Sequence, residues 1–146
     1  MSEVQRAVAV FNEGYGCSQA ISSTYGAQLG LKRELALKIA SAFGGGMGRI
    51  GKTSGAITGA LMVIGLKHGL VELTDQKAKE TTYALVQEFM KKFIVRNGSV
   101  ECKVLLGCDL STSEGIRYAK DNNLVLTICP ILVQQAAEIL EGLLFK

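Results

Sequence analysis

Residues 43–69 read FGGGMGRIGKTSGAITGALMVIGLKHG, and this stretch limits the fold more tightly than any other. Its first part holds Gly44, Gly45, Gly46, Gly48 and Gly51, a loop whose residues can take positive φ without steric cost. From Ser54 to Leu66 the chain is apolar or small at every position, with no polar face. A helix apolar on all sides is buried on all sides. The pattern therefore predicts a central helix over residues 54–68. Each interior glycine costs such a helix about 1 kcal/mol, which is tolerated where a neighbouring backbone must come close. Ser54 stands at the start of that helix, where unpaired N–H groups point outward.

The rest of the chain supplies helices to surround it. Val4, Ala7, Val8 and Phe11 recur at helical spacing, so a first helix runs over 3–12 and stops at Gly14. Cys17 begins a second helix, with Cys17, Ala20, Ile21 and Thr24 on one face, ending near Gly26 or Gly30. A third covers about 32–43, with Leu35, Ile39, Ala42 and Phe43 expected to face inward. Thr74 or Asp75 caps a long helix reaching about Arg96, and Asn97-Gly98 stops it. Leu85, Val86, Phe89 and Phe93 form its apolar stripe. Ser99 caps a short helix to Leu106 that carries Cys102. Ser111-Thr112-Ser113-Glu114 has the form of a capping box and opens another short helix to about Asn122. Cys129-Pro130 is expected to open the last helix, with the proline at the first helical position. No segment alternates convincingly at period two. The expectation is an all-α fold: a compact single-domain helical bundle of about seven or eight helices over residues 1–146, around the central helix.

Length and composition agree with a core that needs no staples, since 146 residues bury enough surface by themselves. The net charge of +3 is scattered, and even Lys91-Lys92 has Glu88 three residues before it. A nucleic-acid surface needs a basic stripe with a reading motif, and no such stripe is present, so no nucleic-acid partner is expected. The N-terminus reads as an amphipathic helix and not as a signal peptide. The uncharged run over 53–66 falls short of the ~20 residues of a membrane span. The expected setting is therefore cytoplasmic and away from the membrane.

In that setting cysteines tend to be free, catalytic or metal-binding. The chain has four: Cys17, Cys102, Cys108 and Cys129. Cys17, Cys102 and Cys129 are each expected at or near a helix N-terminus, where the positive end of the dipole favours thiolate. Burial as a small hydrophobe is the alternative for each of them. Cys108 follows Gly107 in a turn and reads as a bystander, with a resolving or accessory thiol as its alternative. No Cys-x-x-Cys occurs, and the one histidine, His68, closes the central helix, where capping near Gly69 is favoured over ligation. The glycine loop lacks a phosphate-loop pattern. Its amides can still hold an anion or a reduced cofactor's charge, with Arg49 and Lys52 adding positive potential or simply facing solvent.

These residues resemble one known family, the redox-active C-GCAxxG-C-C proteins, over nearly the whole chain. The likeness rests on residues 11–20 (FNEGYGCSQA), on 43–49 (FGGGMGR), and on 102–107 (CKVLLG) with Asp109-Leu110. Cys129-Pro130 completes it. The family's Cys-Gly-Ala-x-x-Gly signature falls on Ser54-Gly55-Ala56-Ile57-Thr58-Gly59. The resemblance implies four site positions: Cys17, Ser54 in place of the signature cysteine, Cys102 and Cys129. It implies thiol-based or metal-cluster redox chemistry. Serine cannot form a disulfide and is a poor soft-metal ligand, though it makes a good helix cap.

Three expectations follow. In the first, Cys17, Cys102 and Cys129 gather at the Ser54 end of the central helix and bind an iron–sulfur cluster or another transition metal for electron transfer. Ser54, Gly55 and Arg49 would then lie around that cofactor, and a redox partner would exchange electrons with it. In the second, the same cysteines form a metal-free thiol–disulfide oxidoreductase. In the third, the protein is a helical binding or structural module whose site has degenerated at Ser54. The apolar last helix, 131–145, further predicts a homodimer.

Overall fold

A computed structural model describes residues 1–145. Eight right-handed helices are present among them: Glu3–Asn12, Cys17–Gln28, Arg33–Ala40, Gly55–His68, Gln76–Asn97, Cys102–Leu106, Ser113–Asp121 and Leu124–Leu144. No strand occurs among the described residues; the nearest approach is one antiparallel bridge between Thr53 and Glu101. The fold is all-α, as the periodicities predict.

Local chemistry sets the ends of these helices. Ser2 Oγ accepts from the Gln5 amide at 3.1 Å while Gln5 Oε1 accepts from the Ser2 amide at 2.8 Å, a reciprocal cap. Asp75 caps the long helix by accepting from the Ala78 amide, and Gly98, at φ +81°, ends it. Thr112 is the cap of the Ser113–Asp121 helix, accepting from Gly115 at 2.9 Å.

The core is one contiguous cluster in which Tyr25, Ile21, Ile57, Ile64, Phe89, Phe93, Val133 and Leu140 are fully enclosed. The central helix packs most closely on the Cys17 helix. A Cβ at Gly59 would lie 2.8 Å from the Ser18 carbonyl oxygen, and one at Gly55 would lie 2.9 Å from the Ser18 amide. The two glycines, four residues apart on one face, therefore let the two backbones touch.

Three expectations need correction. The third helix turns Ala36 and Ala40 inward and leaves Leu35 and Ile39 about half exposed. With small residues on its buried face, the helix lies close to the Cys17 helix, and Ser18 Oγ donates to the Ala40 carbonyl at 2.8 Å. The central helix is enclosed on all sides only from Gly55 to Ala60; Leu66 is exposed and Lys67 reaches the surface. The last helix begins at Leu124, not at Pro130, so Cys129 lies one and a half turns inside it. Asn123 at φ +51° precedes it, and Thr127 Oγ1 donates back to the Asn123 carbonyl at 2.8 Å. Pro130 removes only the bond to the carbonyl of Leu126, an exposed residue.

At 21 residues the last helix is long and apolar enough to cross a membrane by length and composition. Its buried face, however, is part of the core cluster. Two of its carboxylates pair within the protein, Glu141 with Tyr25 and Glu138 with Arg96.

Candidate functional site: a thiol cavity at the head of the central helix

The glycine stretch is a tight left-handed turn. Gly45, Gly46, Met47, Gly48 and Arg49 all have φ between +60° and +72°. For Met47 and Arg49 that conformation costs about 1–2 kcal/mol each. The turn is closed by the Arg49 amide on the Gly44 carbonyl, Gly51 on Gly45 and Lys52 on Gly46. It delivers residues 51–54 as an extended strip beside residues 100–103. Ser54 N–H donates to the Val100 carbonyl at 2.8 Å, Cys102 N–H to Lys52 at 2.6 Å, and Lys103 N–H to Gly51 at 3.2 Å.

That strip places two of the thiols. Cys102 is the first residue of its helix, and its own amide is tied to Lys52. A Cβ at Gly46 would lie 2.6 Å from the Cys102 Cβ and 2.8 Å from Lys52 backbone atoms, so only glycine admits this approach. Cys17 is the first residue of the second helix. There Gln19 Oε1 accepts from the Gly16 amide at 2.9 Å, and Gln19 Nε2 donates to the Leu37 carbonyl at 3.0 Å. A Cβ at Gly55 would lie 3.3 Å from the Cys17 Cβ. Gly46 and Gly55 are thus the contact surfaces for Cys102 and Cys17.

Cys17, Cys102, Cys129, Ser54 and Gly55 all line one cavity of about 320 Å³, with Tyr15, Phe11, Leu106 and Leu132 among its walls. Ser54 is buried and caps the central helix, its Oγ accepting from the Ala56 amide at 3.3 Å. Arg49 does not reach this cavity; it lines a neighbouring groove. All four cysteines are free thiols.

Cys17 and Cys129 line the same cavity. The Cys17 thiol beside it holds Cys129 below the ordinary thiol range, against its burial. Cys129 in turn pushes Cys17 well up, helped by desolvation and by the charge of Cys102. Physically this is a pair that gives up one proton readily and keeps the second. Cys102 is pushed up to about 11, mainly by burial and then by Cys129 and Cys108. Cys17 and Cys102 do start their helices, but their surroundings keep both thiols protonated, against the expected thiolates; Cys129 lies inside its helix, and its thiolate is favoured by a neighbouring thiol and not by a dipole. Cys108 is half-buried against the core, and burial, Asp109 and Cys129 raise it. It does not line the cavity that Cys17, Cys102 and Cys129 share.

The donor set was also tested against a metal centre. Among the described residues, no three His, Cys, Asp or Glu side chains come close enough to share one ion. His68 closes the 14-residue central helix, some 20 Å of rise from Ser54. The fourth position is a serine engaged as a helix cap. These residues thus supply three thiols and a serine, one thiolate short of the four an iron–sulfur cluster usually takes.

Gln19, Gly45, Gly46 and Tyr15 were missed as site residues from sequence. Glycine and glutamine carry no reactive atom, and their role is visible only once the cysteine they accommodate is in place. A family model described as "Putative redox-active protein (C_GCAxxG_C_C)" matches residues 15–143. Searches of curated proteins and of solved structures find no match.

Proposed function

The chain belongs to the C_GCAxxG_C_C redox-active family, and from that premise we propose that it is a metal-free dithiol protein whose working pair is Cys17 and Cys129. The observation that supports this reading is that both cysteines line one cavity of about 320 Å³, where Cys17 holds the Cys129 thiol below its ordinary range. Cys129 is the thiol held low, so it is the one that attacks one sulfur of a substrate disulfide as thiolate. A disulfide forms between Cys129 and one substrate half, and the other half leaves as a thiolate. Cys17 gives its proton to that leaving thiolate and attacks the Cys129 sulfur, expelling the second half. Two protein thiols and one substrate disulfide become one protein disulfide and two substrate thiols. The chemistry is thiol–disulfide exchange and needs no metal. Ser54 takes no part in it; its work is to cap the central helix that forms the cavity floor.

Peptide mapping tests the assignment. Reduced protein treated with one equivalent of a small disulfide should yield a Cys17–Cys129 cross-link, and Cys17→Ser or Cys129→Ser should stop at the mixed disulfide or fail to react. A dominant Cys102–Cys108 bond, or three thiols that never pair, would refute it.

A second reading has one observation in its favour: the three cysteines and Ser54 share one cavity. In that reading the sulfurs close around an iron–sulfur cluster supplied by the cell. Anaerobic reconstitution with iron and sulfide, followed by visible absorbance, separates the two. Stable colour lost in Cys102→Ala would favour the cluster.

A further inference from the structure

Beside the thiol cavity runs a larger groove of about 680 Å³, within the range of small-molecule sites. The two are continuous, since Gly16, Gly45, Leu110, Val125 and Leu126 line both. The groove's floor is apolar, from Leu110, Ile116, Val125 and Leu126, and its charged lining groups are Arg49 and Lys120. No carboxylate lines it among the described residues. The two cations approach from different elements, Arg49 from the left-handed turn and Lys120 from the Ser113–Asp121 helix. Arg49 is held by strain at φ +68°. Its Cγ lies 2.8 Å from where a Gly45 Cβ would stand. The arginine stem thus lies against Gly45, a residue that lines both the groove and the thiol cavity.

Building on the dithiol reading, we propose that this groove selects anionic low-molecular-weight disulfides as the oxidants of the Cys17–Cys129 pair. The carboxylates of the substrate sit between Arg49 and Lys120, its carbon chain lies on the apolar floor, and its disulfide reaches the Cys17–Cys129 pair past Gly45. The exchange balances as before, the anionic disulfide being reduced to two thiols. Arg49 and Lys120 are positioning residues, since neither meets the reacting sulfurs.

The test uses three probes of similar size on reduced full-length protein: 3,3′-dithiodipropionate (dianionic), bis(2-hydroxyethyl) disulfide (neutral) and cystamine (dicationic). Each second-order rate of thiol loss is normalised to the same probe's rate with dithiothreitol, which removes intrinsic reactivity. The dianion should exceed the neutral probe roughly tenfold, equivalent to about 1.4 kcal/mol, with the dication slowest. The advantage should shrink towards one in Arg49→Gln/Lys120→Gln. In the unaltered protein it should also fall as salt rises from about 0.01 M to 1 M, where the screening length drops from about 30 to 3 Å. Because the salt series needs no variant, it decides the matter even if the double substitution folds poorly. If the neutral probe oxidises the pair but the dianion is no faster, the selectivity proposal is overturned and the dithiol reading stands. A ratio that survives both the double substitution and high salt overturns it equally. If no probe closes a Cys17–Cys129 bond, the dithiol reading itself fails.

Discussion

The two ends of the central helix are built from the same kind of sequence and serve different purposes. At the Ser54 end every residue through Ala60 is enclosed, backbones touch through glycine, and the surrounding side chains are thiols. At the His68 end Leu66 and Lys67 are exposed, and the contacts are conventional polar anchors. There the Lys67 side chain donates to the Leu144 carbonyl and lies 4.7 Å from the Phe145 ring centroid, and Tyr25 donates to Glu141 at 2.8 Å. Gly65 faces open space, where an added Cβ would meet nothing within 4 Å. Glycine in one helix can therefore be a contact surface at one end and a mere loss of helix propensity at the other.

That contrast can be broken experimentally, and the largest effect belongs to the thiol end. Gly59→Ala, or Gly55→Ala, drives a methyl group into the Ser18 backbone. Each should cost about 2–3 kcal/mol as overpacking against a rigid neighbour, read as a lowered denaturation midpoint. A neutral result would mean that the helices can slide apart freely, and the close-contact account would be wrong.

Next comes pH. Cys102 is pushed up to about 11 from an ordinary 9.0 by burial. The unfolded chain thus loses this proton first, so stability is whole below about pH 9 and falls as pH rises towards 11. The loss amounts to about 2–3 kcal/mol for two pH units. Cys102→Ala should make that alkaline limb shallower in urea titrations at stepped pH, the remainder belonging to Cys17, which is also pushed up; an unchanged slope would place the titration elsewhere.

Tyr25→Phe probes the other end. It removes the hydrogen bond to Glu141 and should cost roughly 1–2 kcal/mol, because an acceptor with charge loses its donor. It should leave thiol reactivity as it was. The smallest effect, with the opposite sign, is expected from Gly65→Ala, a gain of about 0.5–1 kcal/mol from helix propensity alone. Finding both Gly65→Ala and Gly59→Ala destabilising would erase the distinction between the two ends.

Much of the fold was legible because helices announce themselves locally. The periodicity of Val4, Ala7, Val8 and Phe11, the Gly98 stop and the apolar 54–66 run each follow from residues within a turn or two of one another. The errors have a common cause. Leu35 and Ile39 looked like a buried stripe, yet the close approach of the Cys17 helix favours Ala36 and Ala40, which no property of the third helix alone reveals. Pro130 looked like a helix start, yet the turn at Asn123 began the helix earlier and the proline's missing donor fell opposite an exposed residue. The gathering of Cys17, Cys102 and Cys129 was expected from the family likeness. The meeting of Cys17 and Cys129 at one cavity, the strip that ties residues 51–54 to 100–103, and the groove with Lys120 all join residues far apart in sequence. Such contacts leave no local period to read.

The proposed pairing of Cys17 with Cys129 would also make folding and oxidation depend on each other. The two residues stand roughly 110 positions apart, and a bond across a loop of that length removes about 4–5 kcal/mol of chain entropy from the unfolded ensemble. Linkage runs both ways: whatever oxidation adds to the fold, the fold adds to the disulfide. Since about 1.4 kcal/mol corresponds to 30 mV in a two-electron couple, the folded chain would hold its disulfide on the order of 100 mV below the same cysteines in an unfolded one. The melting temperature would then serve as a gauge of redox state, and loosening the helices around the cavity would make the disulfide easier to reduce.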